Sequence, residues 1–417
     1  MTDTSSSGAA AQLPRPAEDR AEYLLELLGA LYPSGRVATT PGWRQGGDDY
    51  LLLPSSSRPT VCVPARPRSG AAEVVRGYKP SADRATRFQL SALAAATRSG
   101  AMRLWPHRLV LDKGQGESIE TYLAAALGVP VSVAVYTSPP RANRKPVLRV
   151  LTAQGAPLAF AKLGVNPLTS RLVVSEADAL AVLAARGFAT VLAPELMHRG
   201  RWNGMDVVVQ RDLAVPAPRS PSAGVLDAAV AEISALGRTD PQPVRGSAYV
   251  AGLRSRLAAH PHADQTTGLL QALAEVESLA DTTAVSLRFG SWHGDWTPWN
   301  MTSDGSRAIV WDWERFEGGV PVGYDAAHYH TQLAIVRRRV APLDATQGFV
   351  ATAPGVLGPF VGTRRAAQVT ALLYLIEVGT RYTVDGQAEA GARLGNLNAW
   401  LLPALRSGID ALAGARA

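Results

Sequence analysis

Hydrophobic and polar positions follow different patterns in three successive parts of the chain, and the first part predicts a mixture of helices and short strands. Within residues 19–128, apolar residues recur at helical spacing in AEYLLELLGALY, ADRATRFQLSALAAATR and SIETYLAAALG, and the last of these helices is expected to end at Gly128. Three further runs are strand-like, namely DYLLLPSS, TVCVPAR and HRLVLDK. We therefore predict an N-terminal α/β unit of unknown role over residues 19–128.

The pattern changes after this unit. Over residues 129–215, the strand-like runs VSVAVYTS, KPVLRVLTA, LAFAKLG and MDVVVQRDL surround one helix, LVVSEADALAVLAARGF. Over residues 216–417 the spacing of apolar residues is mostly helical. A sheet-rich stretch followed by a helical one predicts an α+β fold with two lobes, and a ligand cleft is expected between such lobes.

Composition narrows the class of protein. The chain has 417 residues, of which 47% are hydrophobic and 18% charged, so it can bury more than one core. Residues 1–18 are rich in Ser, Ala and Pro, and we predict a disordered tail there. The single cysteine, Cys62, excludes an intramolecular disulfide and a zinc site built on several cysteines. A signal-peptide pattern and an apolar run of ~18 residues are both missing, which predicts a soluble, cytoplasmic protein without a membrane span.

The net charge of +7 is unevenly distributed. Between Arg58 and Arg108 there are ten basic residues and two acidic ones. An anionic partner for this segment is one interpretation, and arginine serving only as a solubilising cation is the other. We favour the second interpretation because no aromatic interleaving or nucleic-acid motif accompanies the charge, and no nucleic-acid partner is expected.

Two aspartates and an asparagine lie among tryptophans in SWHGDWTPWN, residues 291–300, and in VWDWE, residues 310–314. Burying a carboxylate without a partner is costly, so Asp295, Asn300 and Asp312 indicate a ligand. One carboxylate can accept a proton from a hydroxyl, and a carboxamide with a second carboxylate can hold Mg²⁺. Phosphoryl transfer from a magnesium nucleotide needs this combination of side chains.

A cation for the nucleotide phosphates is a second requirement of that chemistry. Lys162 is one of only four lysines and lies in the strand-like run LAFAKLG, where a lysine packs poorly but suits a phosphate. Glu176 follows fourteen residues later in the next predicted helix, and we expect it to orient the lysine through an ion pair. Glu195 is a second candidate for this partner.

With these residues in place, the chain resembles the aminoglycoside phosphotransferase and choline kinase branch of the protein-kinase-like proteins. HGDxxxxN and DWE are similar to the catalytic loop and metal-binding turn of that family, and FAK with Glu176 is similar to its lysine–glutamate pair. The resemblance covers roughly residues 130–417. It implies a bilobal protein-kinase-like fold, with a small antiparallel-sheet N-lobe over residues 129–215, a mostly helical C-lobe over residues 216–417, and the N-terminal α/β unit as an addition.

The resemblance also implies a role for each matching residue. Asp295 would be the catalytic base, and Asn300 and Asp312 would bind Mg²⁺. Lys162 would hold the nucleotide phosphates, with Glu176 behind it.

Other positions follow from the same resemblance. His293 and Asp325 would give structural support to the catalytic loop, and Asp325 also suits a helix N-cap. By position, the backbone of Val209, Gln210 and Arg211, followed by Asp212, would receive adenine at the hinge between the lobes.

The sequence departs from the family pattern in two places. A glycine-rich phosphate loop is absent, since the first hairpin reads TSPPRANRKP. Its basic residues either contact phosphates instead or lie in a solvated turn; they are Arg141, Arg144 and Lys145. For the tryptophan-rich loop we favour core packing over an acceptor platform, with Trp296 as the best exception, and Trp296 and Glu314 are the candidate contacts for an acceptor.

The implied function is ATP- and Mg²⁺-dependent transfer of the γ-phosphate to a hydroxyl of a small molecule, with GTP not excluded. Aminoglycosides are polycations and need an acidic pocket, whereas the chain from Thr331 onward has five acidic residues and nine arginines. A sugar, polyol or related metabolite is therefore favoured over an aminoglycoside. Two alternatives stay open: a catalytically weak kinase-like binding or scaffold protein, and a kinase-like enzyme acting on Ser or Thr of a peptide in a natural-product pathway.

Overall fold

The computed structural model describes residues 20–38, 48–77, 84–213 and 219–414. The tail predicted over residues 1–18 lies outside the described residues. The chain divides into two compact units, which we name the sheet unit (Met1–Asp178 with Pro194–Ala214) and the helical unit (Ala179–Ala193 with Val215–Ala417). The predicted α+β class, with a sheet-rich part followed by a mostly helical part, is confirmed.

The strands of the sheet unit form one antiparallel sheet of nine strands. In chain order these strands are β1 (Arg36–Ala38), β2 (Asp48–Leu53), β3 (Val61–Pro64), β4 (Arg108–Asp112), β5 (Val131–Tyr136), β6 (Val147–Thr152), β7 (Pro157–Gly164), β9 (Leu196–Trp202) and β10 (Met205–Arg211). Strand β8 (Val191–Leu192) belongs to the helical unit. Their order across the sheet is β1-β4-β2-β3-β5-β6-β7-β10-β9. Strands from residues 19–128 and from the later segment meet where β3 pairs with β5, so both segments share one sheet.

Helices cover both faces of this sheet. The first five helices of the chain are α1 (Arg20–Leu31), α2 (Arg68–Gly77), α3 (Arg84–Ser99), α4 (Ile119–Leu127) and α5 (Pro167–Arg186). Leu52 of β2 packs in a core cluster with α1 and α4, whereas Leu51 and Leu53 pack in a second cluster with α2 and α3. Because alternate strand residues point to opposite faces, a strand covered on both sides reads as a continuous apolar run such as YLLL.

The helical unit contains seven helices among the described residues, together with short strands. The helices are α6 (Ala223–Ser234), α7 (Ala248–Ala258), α8 (Ala263–Thr282), α9 (Tyr324–Gln332), α10 (Pro342–Val361), α11 (Arg364–Val384) and α12 (Leu401–Gly414). The strands are β8, β11 (Gln242–Pro243), β12 (Ser286–Leu287), β13 (Phe289–Trp292), β14 (Met301–Ser303), β15 (Ala308–Val310) and β16 (Glu317–Pro321). The core is built around α11, from which almost every side chain between Ala366 and Thr380 is buried.

The run DAAHYHTQLAIVRRRV has the apolar spacing of one continuous helix, but the observed helix is interrupted. Helix α9 ends at Gln332 and is followed by a π-helical turn over Leu333–Arg337. In the part of the chain that the structure describes, none of the helices has the length and apolar character that crossing a membrane requires.

Candidate active site

The loop SWHGDWTPWN lies between a strand and a hairpin of the helical unit. Strand β13 ends at Trp292, and β14 and β15 then pair antiparallel with Met301 opposite Val310. The carbonyl oxygen of Asn300 accepts a hydrogen bond from the backbone N–H of Trp311 at 3.0 Å. The hairpin therefore returns the chain to the loop and brings Asp312 back towards it.

Asp295 is held through both carboxylate oxygens. Asn300 Nδ2 donates to Oδ2 at 2.8 Å, and His328 Nε2 lies 3.1 Å from Oδ1. Burial alone would raise the pKa of Asp295, but the hydrogen bond from His328 opposes it and the pKa is lowered to about 2. The group is therefore a carboxylate at neutral pH, and its side chain is still 35% exposed.

His293 is fully buried beneath the loop. Its Nδ1 accepts a hydrogen bond from the backbone N–H of Asp295 at 3.0 Å, so the ring proton resides on Nε2, which donates to the carbonyl oxygen of Trp311 at 3.1 Å. Burial lowers the pKa of His293 to about 4, which keeps the ring neutral. The ring thus links this loop to the end of the hairpin.

Asp325 anchors the same loop from helix α9. Its carboxylate accepts hydrogen bonds from the backbone N–H groups of His293 at 2.8 Å and Gly294 at 3.2 Å. Burial raises the pKa of Asp325 to about 7, and the two N–H groups oppose that shift. The N-cap expectation is wrong, because α9 begins at Tyr324 and Gly323 occupies the N-cap. Asp325 lies inside the first turn and points to the loop instead.

Asp312 follows β15 in the left-handed region, with φ of 71°. The next residues form a short 3-10 helix, Trp313–Arg315, whose Trp313 ring packs against His293 at 4.5 Å. The charge of Asp312 is felt at both Asp295 and His293, since it acts to raise the pKa of each. Asp295, Asn300 and Asp312 thus lie in one neighbourhood of the helical unit.

The two candidate acceptor contacts do not present open side chains. Trp296 is 1% exposed and packs its ring edge-on against His293 at 5.8 Å. Glu314 is also buried. The structure therefore corrects the interpretation of Trp296 as an acceptor platform, and core packing accounts for this tryptophan.

Lys162 and Glu176 form the predicted ion pair within the sheet unit. Lys162 lies on β7 opposite Val208 of β10, and its Nζ is 2.6 Å from Oε1 of Glu176 on α5. The two side chains are 6% and 0% exposed. Glu195, the competing candidate, instead pairs with Arg211 on the surface at 2.6 Å.

The segment assigned by position to the hinge lies largely within strand β10. Val209, Gln210 and Arg211 are the last residues of β10, which pairs with β7 on one side, and the first two also pair with β9 on the other. The backbone N–H of Arg211 donates to the carbonyl oxygen of Glu195 at 2.9 Å. The strand pairings therefore occupy Val209 and Gln210 on both sides, and the binding of adenine at this segment stays a prediction.

Arg144 lies in the connection between β5 and β6 but is not in a solvated turn. Its guanidinium stacks 3.4 Å from the centre of the Tyr23 ring of α1, and both side chains are buried. Lys145 is buried beside it, whereas Arg141 is exposed. A contact of these residues with phosphate stays a prediction.

Three residues around Asp295 gave no recognisable signal in the sequence. His328 Nδ1 is 3.0 Å from the hydroxyl oxygen of Tyr374 on α11. Arg381, also on α11, donates to the carbonyl oxygen of Gly294 at 2.6 Å and lies over the Trp292 ring at 5.5 Å. A histidine three positions after Asp325 on one helix was the available hint, and it needed the fold to become informative.

No protein-family model matches the chain, and no curated protein matches it at a significant level. Solved structures are similar to it at low identity. An apo structure of a thermostable mutant of aminoglycoside phosphotransferase APH(4)-Ia has a TM-score of 0.46 and 17% identity over 71% of this chain and 99% of that chain. A variant of that enzyme in a ternary complex with ADP and hygromycin B has a TM-score of 0.45 and 16% identity, over 70% and 98%. Amicoumacin kinase in complex with AMP-PNP, Ca²⁺ and Ami has a TM-score of 0.42 and 14% identity, over 70% and 92%. At these values the likenesses do not by themselves assign the chain to a family.

Proposed function

We propose that the protein is a phosphotransferase that moves the γ-phosphate of a magnesium nucleotide, ATP or GTP, to a hydroxyl of a small molecule. The observation that carries this proposal is the arrangement around Asp295: an ionised, partly exposed carboxylate held from two sides, with Asn300 and Asp312 in the same neighbourhood. A loop with only a structural role has no need for an exposed, oriented carboxylate.

Asp295 is the group that would accept the proton of the acceptor hydroxyl. Its pKa of about 2 makes it a weak base, so its main contribution would be to orient the hydroxyl and to take the proton late in the transfer. Its exposed fraction leaves room for an acceptor oxygen, while His328 and Asn300 keep the carboxylate from rotating.

The donor set fits a divalent cation. Asp312 supplies a carboxylate, and Asn300, whose Nδ2 is committed to Asp295, presents its Oδ1 as a second oxygen ligand. Hard oxygen ligands of this kind are those that Mg²⁺ prefers. When bound, the cation would neutralise phosphate charge.

Lys162 would contact the nucleotide phosphates. Its ammonium group is held by Glu176 in an environment that excludes most water, which strengthens its attraction for a phosphate oxygen. The structure divides the proposed residues between the two units, with this pair in the sheet unit and the remaining groups in the helical unit.

The acceptor is proposed to be a sugar, polyol or related metabolite. The excess of arginine over acidic residues from Thr331 onward disfavours a polycation. The test is incubation with γ-labelled ATP and a panel containing neutral sugars, polyols, nucleosides and aminoglycosides, with labelled products separated by chromatography. Transfer to one class, lost in Asp295→Asn and kept in the exposed-site variant Asp410→Asn, supports the proposal. Labelled inorganic phosphate alone across the panel at every acceptor concentration contradicts it.

A further inference from the structure

Tyr374, His328 and Asp295 form a chain of two hydrogen bonds inside the helical unit. The Tyr374 hydroxyl oxygen lies 3.0 Å from His328 Nδ1, and His328 Nε2 lies 3.1 Å from Asp295 Oδ1. Tyr374 and His328 are buried, on α11 and α9 respectively. Two helices that are separate in sequence therefore converge on one oxygen of the proposed base.

The direction of each hydrogen bond follows from the chemistry of the groups. Burial lowers the pKa of His328, so the ring is neutral, with one N–H donor and one acceptor nitrogen. The Asp295 carboxylate only accepts, which places the proton on Nε2. Burial raises the pKa of Tyr374, so its hydroxyl keeps its proton and donates to Nδ1. Asp295 therefore sets the imidazole tautomer, and the tyrosine hydroxyl satisfies the acceptor nitrogen that this tautomer leaves at Nδ1.

We propose that His328 is a positioning residue for Asp295 and that Tyr374 holds the His328 ring through its second nitrogen. His328 holds Oδ1 while Asn300 holds Oδ2, and two donors on different oxygens fix the plane of the carboxylate. The lone pairs that remain then point in one defined direction. This inference rests on the proposed function, since positioning matters only if Asp295 meets an acceptor.

Packing gives a competing explanation that the test must separate. The His328 ring contacts Trp292 at 6.5 Å and Tyr374 at 6.0 Å between ring centres, edge-on in both cases, so loss of the ring would leave a cavity. His328→Phe keeps a ring and removes the donor, His328→Gln keeps a donor, and Tyr374→Phe removes only the hydroxyl. His330→Gln is the matched control, because His330 lies on the same helix and packs on Phe349 at 5.9 Å.

The kinetic test uses the full-length protein, with the acceptor found by screening or, before one is known, water as the acceptor in ATP hydrolysis. His328→Phe is expected to lower kcat by ~10- to 100-fold with the KM for magnesium ATP unchanged, as a misplaced catalytic group does. His328→Gln should recover part of the loss, and Tyr374→Phe should show a smaller loss. Equal kcat in wild type and His328→Phe overturns the proposal, as does an equal loss in His328→Phe and His328→Gln.

The second readout is the tautomer of His328, measured by ¹⁵N NMR of the ring nitrogens, which a role limited to packing would not determine. We expect Nε2–H in the wild type and in Tyr374→Phe, with a change in the Nδ1 chemical shift in the variant because its hydrogen bond is lost. A wild-type ring protonated at Nδ1 overturns the proposal whatever the kinetics show. A wild type that binds no magnesium nucleotide overturns the proposed function and, with it, the positioning role. If only the positioning role fails, the wild type still binds magnesium nucleotide, so the two failures are distinguishable.

Discussion

The side chain of Asn300 donates a hydrogen bond to Oδ2 of Asp295 at 2.8 Å, across the loop that separates them by five residues. The same asparagine nitrogen also donates to the Asp295 backbone carbonyl at 3.0 Å. A single amide thus closes the loop on itself and fixes the proposed base. The spacing HGDxxxxN is then a geometric requirement, because a shorter or longer loop would separate these two side chains.

Replacing the proposed base should remove turnover without removing nucleotide binding. Asp295→Asn keeps the size of the side chain but cannot accept a proton, and we expect kcat to fall by ~10²- to 10⁴-fold. Isothermal titration with magnesium ATP should give an affinity close to that of the wild type. A variant as fast as the wild type would exclude Asp295 as the base, and Asp410→Asn controls for the loss of one exposed carboxylate.

The buried ion pair of the sheet unit predicts a loss of both stability and phosphate affinity. Lys162→Met leaves the Glu176 carboxylate buried without its main counter-charge, which typically costs ~3–5 kcal/mol in the free energy of unfolding. The double variant Lys162→Met/Glu176→Gln should recover part of that loss. Urea denaturation measures the stability of both variants.

The same ion pair also predicts how the affinity for ATP changes relative to the affinity for adenosine. Lys162→Met should weaken ATP binding more than adenosine binding, and equal losses would show that the lysine does not contact phosphates. Glu195→Gln, at the exposed pair with Arg211, is the control and should change neither stability nor affinity noticeably.

Gly294, next to Asp295 in the same loop, cannot carry a side chain. Its φ is +82°, and a Cβ there would lie 2.2 Å from the backbone carbonyl oxygen of Arg315. Gly294→Ala should therefore destabilise the protein by more than the ~1–2 kcal/mol of left-handed strain alone and should displace Asp295. Gly319→Ala is the matched control, with φ of +76° and no atom within 4 Å of the added Cβ. Equal effects of the two substitutions on stability and turnover would contradict the close approach.

The buried neutral His293 predicts a pH dependence of stability. Its pKa is about 4 in the folded protein and 6.5 for an unperturbed histidine, so its contribution is fully present above pH 6.5 and is lost as the pH falls towards 4. The full effect is on the order of 3 kcal/mol. Asp325, with a pKa raised to about 7, acts in the opposite sense because its contribution is lost as the pH rises.

The test is therefore the difference between wild type and His293→Gln, since Asp325 is common to both. Urea denaturation between pH 4 and 7 should show the two free energies of unfolding converging as the pH falls. Parallel curves would mean that His293 does not titrate in this range.

The sequence pattern predicted most of the elements that position the candidate site. The alternating runs around Lys162 and the hairpin after Asn300 have strong local signals, and both are present. Helix α10 was not predicted because Pro354 and Pro359 lie inside it together with several glycines. The strand-like run MDVVVQRDL is present as β10, which ends within it at Arg211, so the hinge residues chosen by position overlap the strand.

The sequence did not allow contacts between residues that are distant along the chain to be predicted. His328 and Tyr374 are 46 positions apart, and only the packing of α9 against α11 shows that they meet at Asp295. The joining of β3 to β5 is equally non-local, and no pattern in either strand specifies its partner. The division of the chain at residues 128 and 215 likewise stays a proposal.

Magnesium-dependent nucleotide binding is the most direct measure of the central claim. Thermal unfolding of the wild type and of Asp312→Ala would be followed with ATP, GTP or ADP, each with and without Mg²⁺. A ligand at a hundred times its Kd that binds only the folded state adds about 2.7 kcal/mol, which raises Tm measurably. We predict a rise in Tm for the wild type that requires Mg²⁺ and is lost in Asp312→Ala. An unchanged Tm with every nucleotide, or a rise that is the same without Mg²⁺ and in Asp312→Ala, would contradict the assignment of this protein as a magnesium-nucleotide phosphotransferase.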